Sequence, residues 1–203
     1  MIDLVVVRHG QSGADLENKH EGRADFQLTT LGVQQAEKAA KWLKDKITFD
    51  YIFSSPLKRA SVTAEIIAQR FNIKVLYDDL LMEYNNGVLA GLDREDAERL
   101  YPLPKGGRKY YDRIEAGESA IELRARAEEF LARLIDALSE TQEDKRVLIV
   151  AHGGIINMLF NSFLNLPISS NVIVNTGDTG IHFWRIRGKE RIILKSNIQE
   201  HLL

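Results

Sequence analysis

Two aliphatic runs far apart in the chain limit its fold more than any other feature: Leu4-Val5-Val6-Val7 and Val147-Leu148-Ile149-Val150-Ala151. Uninterrupted runs of this kind, rich in β-branched residues, predict strands buried on both faces, as in parallel sheets covered by helices. The first breaks into Arg8-His9-Gly10 and the second into His152-Gly153-Gly154. If both strands share one parallel sheet, the two imidazoles fall at the same carboxyl edge, where open α/β sheets hold their ligands.

Elsewhere the hydrophobic pattern alternates between strand and helix types. A polar loop is predicted over residues 11–27, then a helix from about Thr30 with Val33, Ala36, Ala40 and Leu43 on one face. Tyr51-Ile52-Phe53 reads as a short strand ending at Ser54-Ser55-Pro56. Pro56 suits a first helical position and predicts a helix from there to about Phe71, burying Leu57, Ala60, Ala64 and Ile67. A third strand is predicted over residues 73–77. From about 84 to 118 the pattern weakens: Asn85-Asn86-Gly87, Pro102, Pro104 and Gly106-Gly107 punctuate one helical run over 94–101. Ser119 and Glu122 form a capping box, opening a helix striped by Leu123, Ala127, Phe130, Leu131, Leu134 and Leu138. A strand at Val147, a helix over about 154–164, a loop over 175–180 and strands over 181–186 and near Ile192 complete the order. The reading is α/β: a doubly wound, mainly parallel sheet with helices on both faces and one antiparallel edge strand. One domain is expected over 1–203, with a cap or lid excursion at about 84–118.

With 203 residues, 44% of them hydrophobic, the chain can bury one sizeable core. A formal charge of −2, from 27 basic and 29 acidic residues, gives no global attraction to nucleic acid or acidic membranes, so any anion site must be local. The lack of cysteine removes disulfides, thiolate catalysis and Cys-ligated zinc, and agrees with a cytoplasmic setting. The opening Met-Ile-Asp with its short apolar run predicts no signal peptide. Residues 147–177 carry no Asp, Glu, Lys or Arg, which is long enough to cross a bilayer. His152, Gly153, Gly154, Asn157, Asn161, Asn165 and Pro167 interrupt that stretch, so a buried strand followed by a buried helix is expected instead.

The residues following each parallel strand are Arg8-His9, Ser54-Ser55 with Arg59 one helical turn on, Glu83 past the third strand, and His152. Two imidazoles, two guanidiniums and a carboxyl group around one crevice suit a phosphoryl group. Arginine forks bind its oxygens, and an imidazole attacks phosphorus or donates hydrogen bonds.

These blocks resemble the histidine phosphatase superfamily, also called phosphoglycerate-mutase-like. The resemblance rests on Arg8-His9-Gly10-Gln11-Ser12, on the stretch from Leu28-Thr29-Thr30-Leu31-Gly32 to Ala36, and on Ser54-Ser55-Pro56-Leu57-Lys58-Arg59 to Ala64. Gly117-Glu118-Ser119 with Arg126, and Ala151-His152-Gly153-Gly154, complete it in the family's order over nearly the whole chain. It implies that His9 is the nucleophile and becomes a phosphohistidine that water hydrolyses. Arg8, Arg59 and His152 would hold the phosphoryl oxygens, and Glu83 would give a proton to the leaving group and later activate water. No metal or other cofactor is implied, because fixed guanidiniums supply the charge stabilisation. Ser12, Asn18, Gly22, Arg23, Gly153 and Asn175 complete the candidate phosphate- and substrate-binding set.

The chain departs from the family at Asp15, where asparagine is common near the phosphate. Three arrangements would accommodate this: Asn18 substitutes, the loop is arranged differently, or a carboxylate faces the pocket. Leu89-Ala90-Gly91 replaces a frequent Trp-Glu-Gly, and Gln11 a frequent glutamate. His20, His182 and His201 read as structural or solvated. The basic, aromatic tract from Lys105 to Tyr111 reads as a solvated lid, not a nucleic-acid surface.

The leading expectation is a metal-independent phosphoric monoester hydrolase of the histidine acid phosphatase type, acting on a small phosphorylated metabolite through a phosphohistidine, as monomer or homodimer. The alternatives are a cofactor-dependent phosphoglycerate mutase and a non-catalytic phosphate-binding or interaction module. A metallohydrolase on His9, His20 and His152 lacks any ligand pair at i, i+4 and any carboxylate cluster.

Overall fold

The computed structural model describes residues 1–139 and 143–203. Six strands form one sheet: β1 (Ile2–Arg8), β2 (Tyr51–Ser54), β3 (Val75–Tyr77), β4 (Lys145–Ala151), β5 (Ile181–Arg187) and β6 (Glu190–Ile198). Their order is β3-β2-β4-β1-β5-β6. The first four are mutually parallel, β5 runs against β1, and β6 returns along β5 as the edge. The two opening runs are therefore neighbours, with Arg8 opposite Ala151.

The alternation of each strand feeds two cores. Leu4, Val6, Val147 and Ile149 pack against helices α5 (Ala120–Ser139) and α6 (Gly153–Phe163). Val5, Val7, Leu148 and Val150 pack on the opposite face against α2 (Thr30–Lys44) and α3 (Lys58–Phe71). A strand with both faces covered must be apolar throughout, which is why these runs do not alternate with polar residues. The stripe predicted for α5 is buried in full, and the Ser119/Glu122 capping box forms in both directions at 2.9 and 3.3 Å. The uncharged stretch after Val147 becomes β4 and then α6, and among the described residues no helix is long and apolar enough to cross a membrane.

Three local differences from the expected pattern have physical causes. The loop after β1 contains a short helix, α1 (Gly13–Glu17), because Ser12 and Asp15 make a capping box of their own. Helix α3 begins at Lys58, after Pro56, because the Ser55 hydroxyl accepts the Leu57 amide and holds a turn there. Strand β3 starts at Val75 because Asn72 ends α3 in the left-handed conformation and Ile73 still bonds back to Ala68.

The excursion between β3 and α5 has a small core of its own, Leu89, Ala97 and Ile114, with helix α4 (Arg94–Leu100) beside it. It is tied to the loop after β1, where the His20 amide donates to Leu92 and the Gly91 amide to His20. The Lys105–Tyr111 tract is largely exposed on it.

Candidate active site

The sheet register sets the site. His9 and His152 each follow the last paired residue of adjacent strands, and Ser55 follows β2 on the other side of β4. The rings of His9 and His152 lie 5.0 Å apart, both fully buried. His9 Nδ1 is 2.7 Å from the Gly10 carbonyl, which can only accept, so Nδ1 carries the proton. Nε2 therefore keeps its lone pair, and Arg59 Nε donates towards it at 3.3 Å. Burial, reinforced by the charges of Arg59 and Arg8, pushes the His9 pKa well below its ordinary 6.5. The result is a neutral imidazole with a directed lone pair.

Arg59 is fully buried, and its terminal nitrogens donate to the carbonyls of Gly22 at 2.8 Å and Ala24 at 3.0 Å. The expected two-pronged fork is thus a clamp on the 22–24 loop that turns Nε towards His9. Gly22 has φ +49°, and a β-carbon there would run into the Asn86 side chain, so the close approach that presents its carbonyl needs glycine. Burial lowers the Arg59 pKa, against the raising effect of Glu21, Glu83 and Asp25. Arg8 donates to the Thr176 carbonyl at 2.9 Å and lies 3.5 Å from Asp178, while its buried Nε has no partner. Burial raises the Asp178 pKa.

His152 Nε2 meets the Ser55 hydroxyl at 2.8 Å, while Nδ1 is buried and unpartnered. Its pKa too is driven well below 6.5, by burial first and then by Arg59. Glu83 reaches the N-terminus of α6, where its carboxylate accepts the amides of Gly154 at 2.9 Å and Ile155 at 3.1 Å as well as its neighbour Tyr84 at 2.7 Å. A β-carbon on Gly154 would clash with that carboxylate. Behind Glu83, Arg126 donates to the carbonyls of Leu80, Met82 and Glu83 and to the Glu118 carboxylate.

Contacts and neighbouring charges bring Arg8, His9, Ser12, Gly22, Arg59, Glu83, His152 and Gly153 together at the strand ends. Arg23 lies in the same loop, half-buried, with an unpartnered Nε. Asn18 is not brought in: it is exposed, in the left-handed conformation that ends α1, and its carbonyl accepts the Arg94 amide. Asn175 is exposed too, and it is the carbonyl of the next residue, buried Thr176, that holds Arg8. Of the arrangements open for Asp15, the loop is the one observed: its carboxylate caps the Ser12 amide at 2.8 Å. His20 borders a cleft of about 160 Å³ with Tyr101 and Arg108, and His182 and His201 bond to Thr176 and Thr179.

Sequence reasoning passed over Glu21. One of its oxygens accepts the Ser12 hydroxyl and lies 3.3 Å from Arg59 Nε, and the other is 3.7 Å from His9 Nε2. Its signal was present, a carboxylate beside the glycine that turns the loop back towards the strand ends. Thr63, which accepts the Gly10 amide at 3.2 Å, was hidden in a helix stripe.

The model of the histidine phosphatase superfamily (branch 1) matches residues 4–199. The uncharacterized phosphatase PhoE of Bacillus subtilis is 30% identical over 211 aligned positions, covering 100% of this chain and 97% of that protein. The probable phosphoglycerate mutase GpmB of Escherichia fergusonii is 35% identical over 172 positions, covering 82% and 77%. Among solved structures, a mycobacterial glucosyl-3-phosphoglycerate phosphatase complexed with VO3 superposes with a TM-score of 0.85 at 27% identity, covering 96% of this chain and 98% of that one.

Proposed function

Because the chain belongs to the histidine phosphatase superfamily, we propose that this phosphatase- or mutase-like enzyme is a metal-independent phosphomonoester hydrolase that works through a phosphohistidine on His9. The observation that carries the reading is the directed lone pair of a neutral, buried imidazole, flanked by two buried donors without partners, Arg8 Nε and His152 Nδ1. Buried donors left unsatisfied are costly, and an entering anion satisfies them.

In the first step His9 Nε2 attacks phosphorus, a P–N bond forms and the P–O bond to the alcohol breaks. Glu83, protonated as the substrate enters, gives its proton to the leaving oxygen and becomes the carboxylate that the amides of Gly154, Ile155 and Tyr84 stabilise. In the second, water attacks phosphorus, Glu83 takes its proton, and the P–N bond breaks to release inorganic phosphate. Charge on the phosphoryl oxygens is met by Arg8 and Arg59 and by the Gly153 amide that opens α6. The Ser55 hydroxyl already accepts the Leu57 amide and has its own proton to give to His152 Nε2. In this reading Ser55 gives that proton to His152 Nε2, which leaves the ring proton on the buried, unpartnered Nδ1. Among the described residues no three His, Asp or Glu side chains are grouped to hold a metal ion.

The test is a panel of phosphorylated metabolites and p-nitrophenyl phosphate assayed in excess EDTA. Hydrolysis by the native protein is expected, with acid-labile phosphate trapped on His9 and a loss of about 10³-fold or more in His9→Ala. Full activity of His9→Ala would sink the proposal. Interconversion of phosphoglycerates dependent on bisphosphoglycerate would replace hydrolysis with the mutase reaction.

A further inference from the structure

The atoms that a phosphoryl group needs are already engaged by an anion of the protein's own. Glu21 is held by Ser12 Oγ and Arg59 Nε, and its second oxygen lies 3.7 Å from His9 Nε2. His9 carries a lone pair on that nitrogen, so this approach is no hydrogen bond. In-line attack places phosphorus about 3–3.5 Å from the nucleophile, in the shell that the Glu21 carboxylate borders. Resting on the reading of His9 above, we infer that Glu21 is a charge-selecting residue of the phosphoryl subsite: its carboxylate competes with the entering group for Ser12 and Arg59 and leaves when that group binds.

The two partners are unequally mobile. Arg59 is fully buried with its terminal nitrogens fixed on the carbonyls of Gly22 and Ala24, so it cannot follow the carboxylate outward. The Glu21 side chain is 17% exposed and has a way to solvent. Displacing it forfeits the contact with Arg59, which an incoming group regains only by supplying anionic oxygens to the same place. The displaced charge stays within a side chain's length of the pocket. There Glu83 and Asp178 already face Arg59 and Arg8, and Asp15 acts on His9 and Asp178. Glu21, Asp15 and Asp178, with Glu83 once it has given up its proton, offset the guanidiniums of Arg8 and Arg59, while Arg23, with its unpartnered Nε, stands on the same loop. The consequence is weak retention of inorganic phosphate, which speeds product release, and a penalty from the displaced Glu21 carboxylate on esters whose alcohol bears a further negative charge.

The variant Glu21→Gln keeps the shape and an oxygen for Ser12 while removing the charge. Its inhibition constants for inorganic phosphate and orthovanadate are expected to fall at least about tenfold, with kcat/KM rising more for 3-phosphoglycerate than for p-nitrophenyl phosphate. Calorimetric binding of inorganic phosphate reads the same difference without turnover. Unchanged or weaker anion binding in Glu21→Gln, with native hydrolysis intact, overturns the role of Glu21 alone. A native protein that neither hydrolyses the panel nor binds orthovanadate overturns the phosphoryl reading and this inference with it. Should the variant fail to fold, a crystal structure of the native protein with orthovanadate decides: separation of Glu21 from Ser12 supports competition, and vanadate bound with that contact intact removes it.

Discussion

The two strand ends built on the same sequence pattern, an apolar run followed by His-Gly, anchor their histidines through opposite ring nitrogens. At the end of β1, His9 spends Nδ1 on its neighbour's carbonyl and turns Nε2 inward. At the end of β4, His152 spends Nε2 on Ser55 and leaves Nδ1 open. The segment after each strand makes the difference. Beyond β1 the chain runs into the loop that carries Ser12 and Glu21, whereas beyond β4 it enters α6 directly and its first amides go to Glu83. On the proposed reading, a local backbone bond leaves His9 acting as a lone pair, and a hydroxyl anchor leaves His152 able to donate. The same residue type at equivalent register thus takes two roles through its hydrogen-bonding partner.

The largest expected effect separates these roles. His9→Asn is expected to lose about 10³-fold or more in turnover together with all acid-labile phosphate on the protein. His152→Asn removes one donor to the phosphoryl group, and its turnover is expected to fall by about 10²–10³-fold while radiolabelled phosphate still accumulates on His9. Loss of the label in His152→Asn, or its survival in His9→Asn, would reverse the assignment. Next in size is the support behind Glu83, which belongs to the β4 side of the pocket. In Arg126→Met the Glu118 carboxylate and three carbonyls lose a half-buried partner. Denaturant unfolding is expected to show a loss of about 3 kcal/mol, and kcat should fall with Glu83 unmoored while His9 can still be labelled. Smaller again is Ser55→Ala, which removes the anchor of His152 together with the acceptor of the Leu57 amide. Removing a hydrogen bond of about 1 kcal/mol corresponds to a fall in kcat of about fivefold, and identical kcat in the variant would mean that the anchor does not orient His152.

Most of the sheet and half of the pocket were legible because burial leaves a mark on composition. Runs such as Val5-Val6-Val7 admit few other environments, and a charged or imidazole residue directly after one marks where a sheet meets solvent. Hence β1, β4, the α5 stripe, and the placing of Arg8, His9 and His152 could be read from the amino-acid order alone. Residues whose place depends on loop geometry left no such mark. Asn18 was assigned as a substitute for the asparagine that the family resemblance places at Asp15, and Asn175 by its place before the edge strand. In the fold, Asn18 spends itself on a left-handed helix end, and Asn175 is exposed while the neighbouring Thr176 carbonyl holds Arg8. Glu21 was missed for the converse reason. Only the turn at Gly22 and the clamp of Arg59 on the following carbonyls bring it beside His9. Periodicity sees the elements, whereas side chains on a loop of about ten residues are placed by contacts distant in sequence.

The last expected effect concerns pH, and here the two histidines should behave alike. Both have pKa values well below 6.5 because burial and the nearby guanidiniums disfavour the cation, and His182 is lowered by burial to about 4. In the unfolded chain each would titrate near its ordinary 6.5, so on acidification the unfolded state takes up protons first. Folding stability from these groups is therefore complete above about pH 6.5 and is lost as pH falls below it, ceasing to change for His182 once pH passes about 4. The slope contributed by each group is at most about 1.4 kcal/mol per pH unit. Thermal unfolding midpoints are expected to fall between pH 7 and pH 5, and to fall less steeply in His152→Gln. In the native protein the ring Cε1–H resonances of His9 and His152 should show no titration between pH 8 and pH 6. A midpoint independent of pH, or a His9 resonance titrating near 6.5, would mean that the imidazole is not held neutral by its surroundings. The contrast between the two strand ends would then rest on charge instead of on which nitrogen faces the pocket.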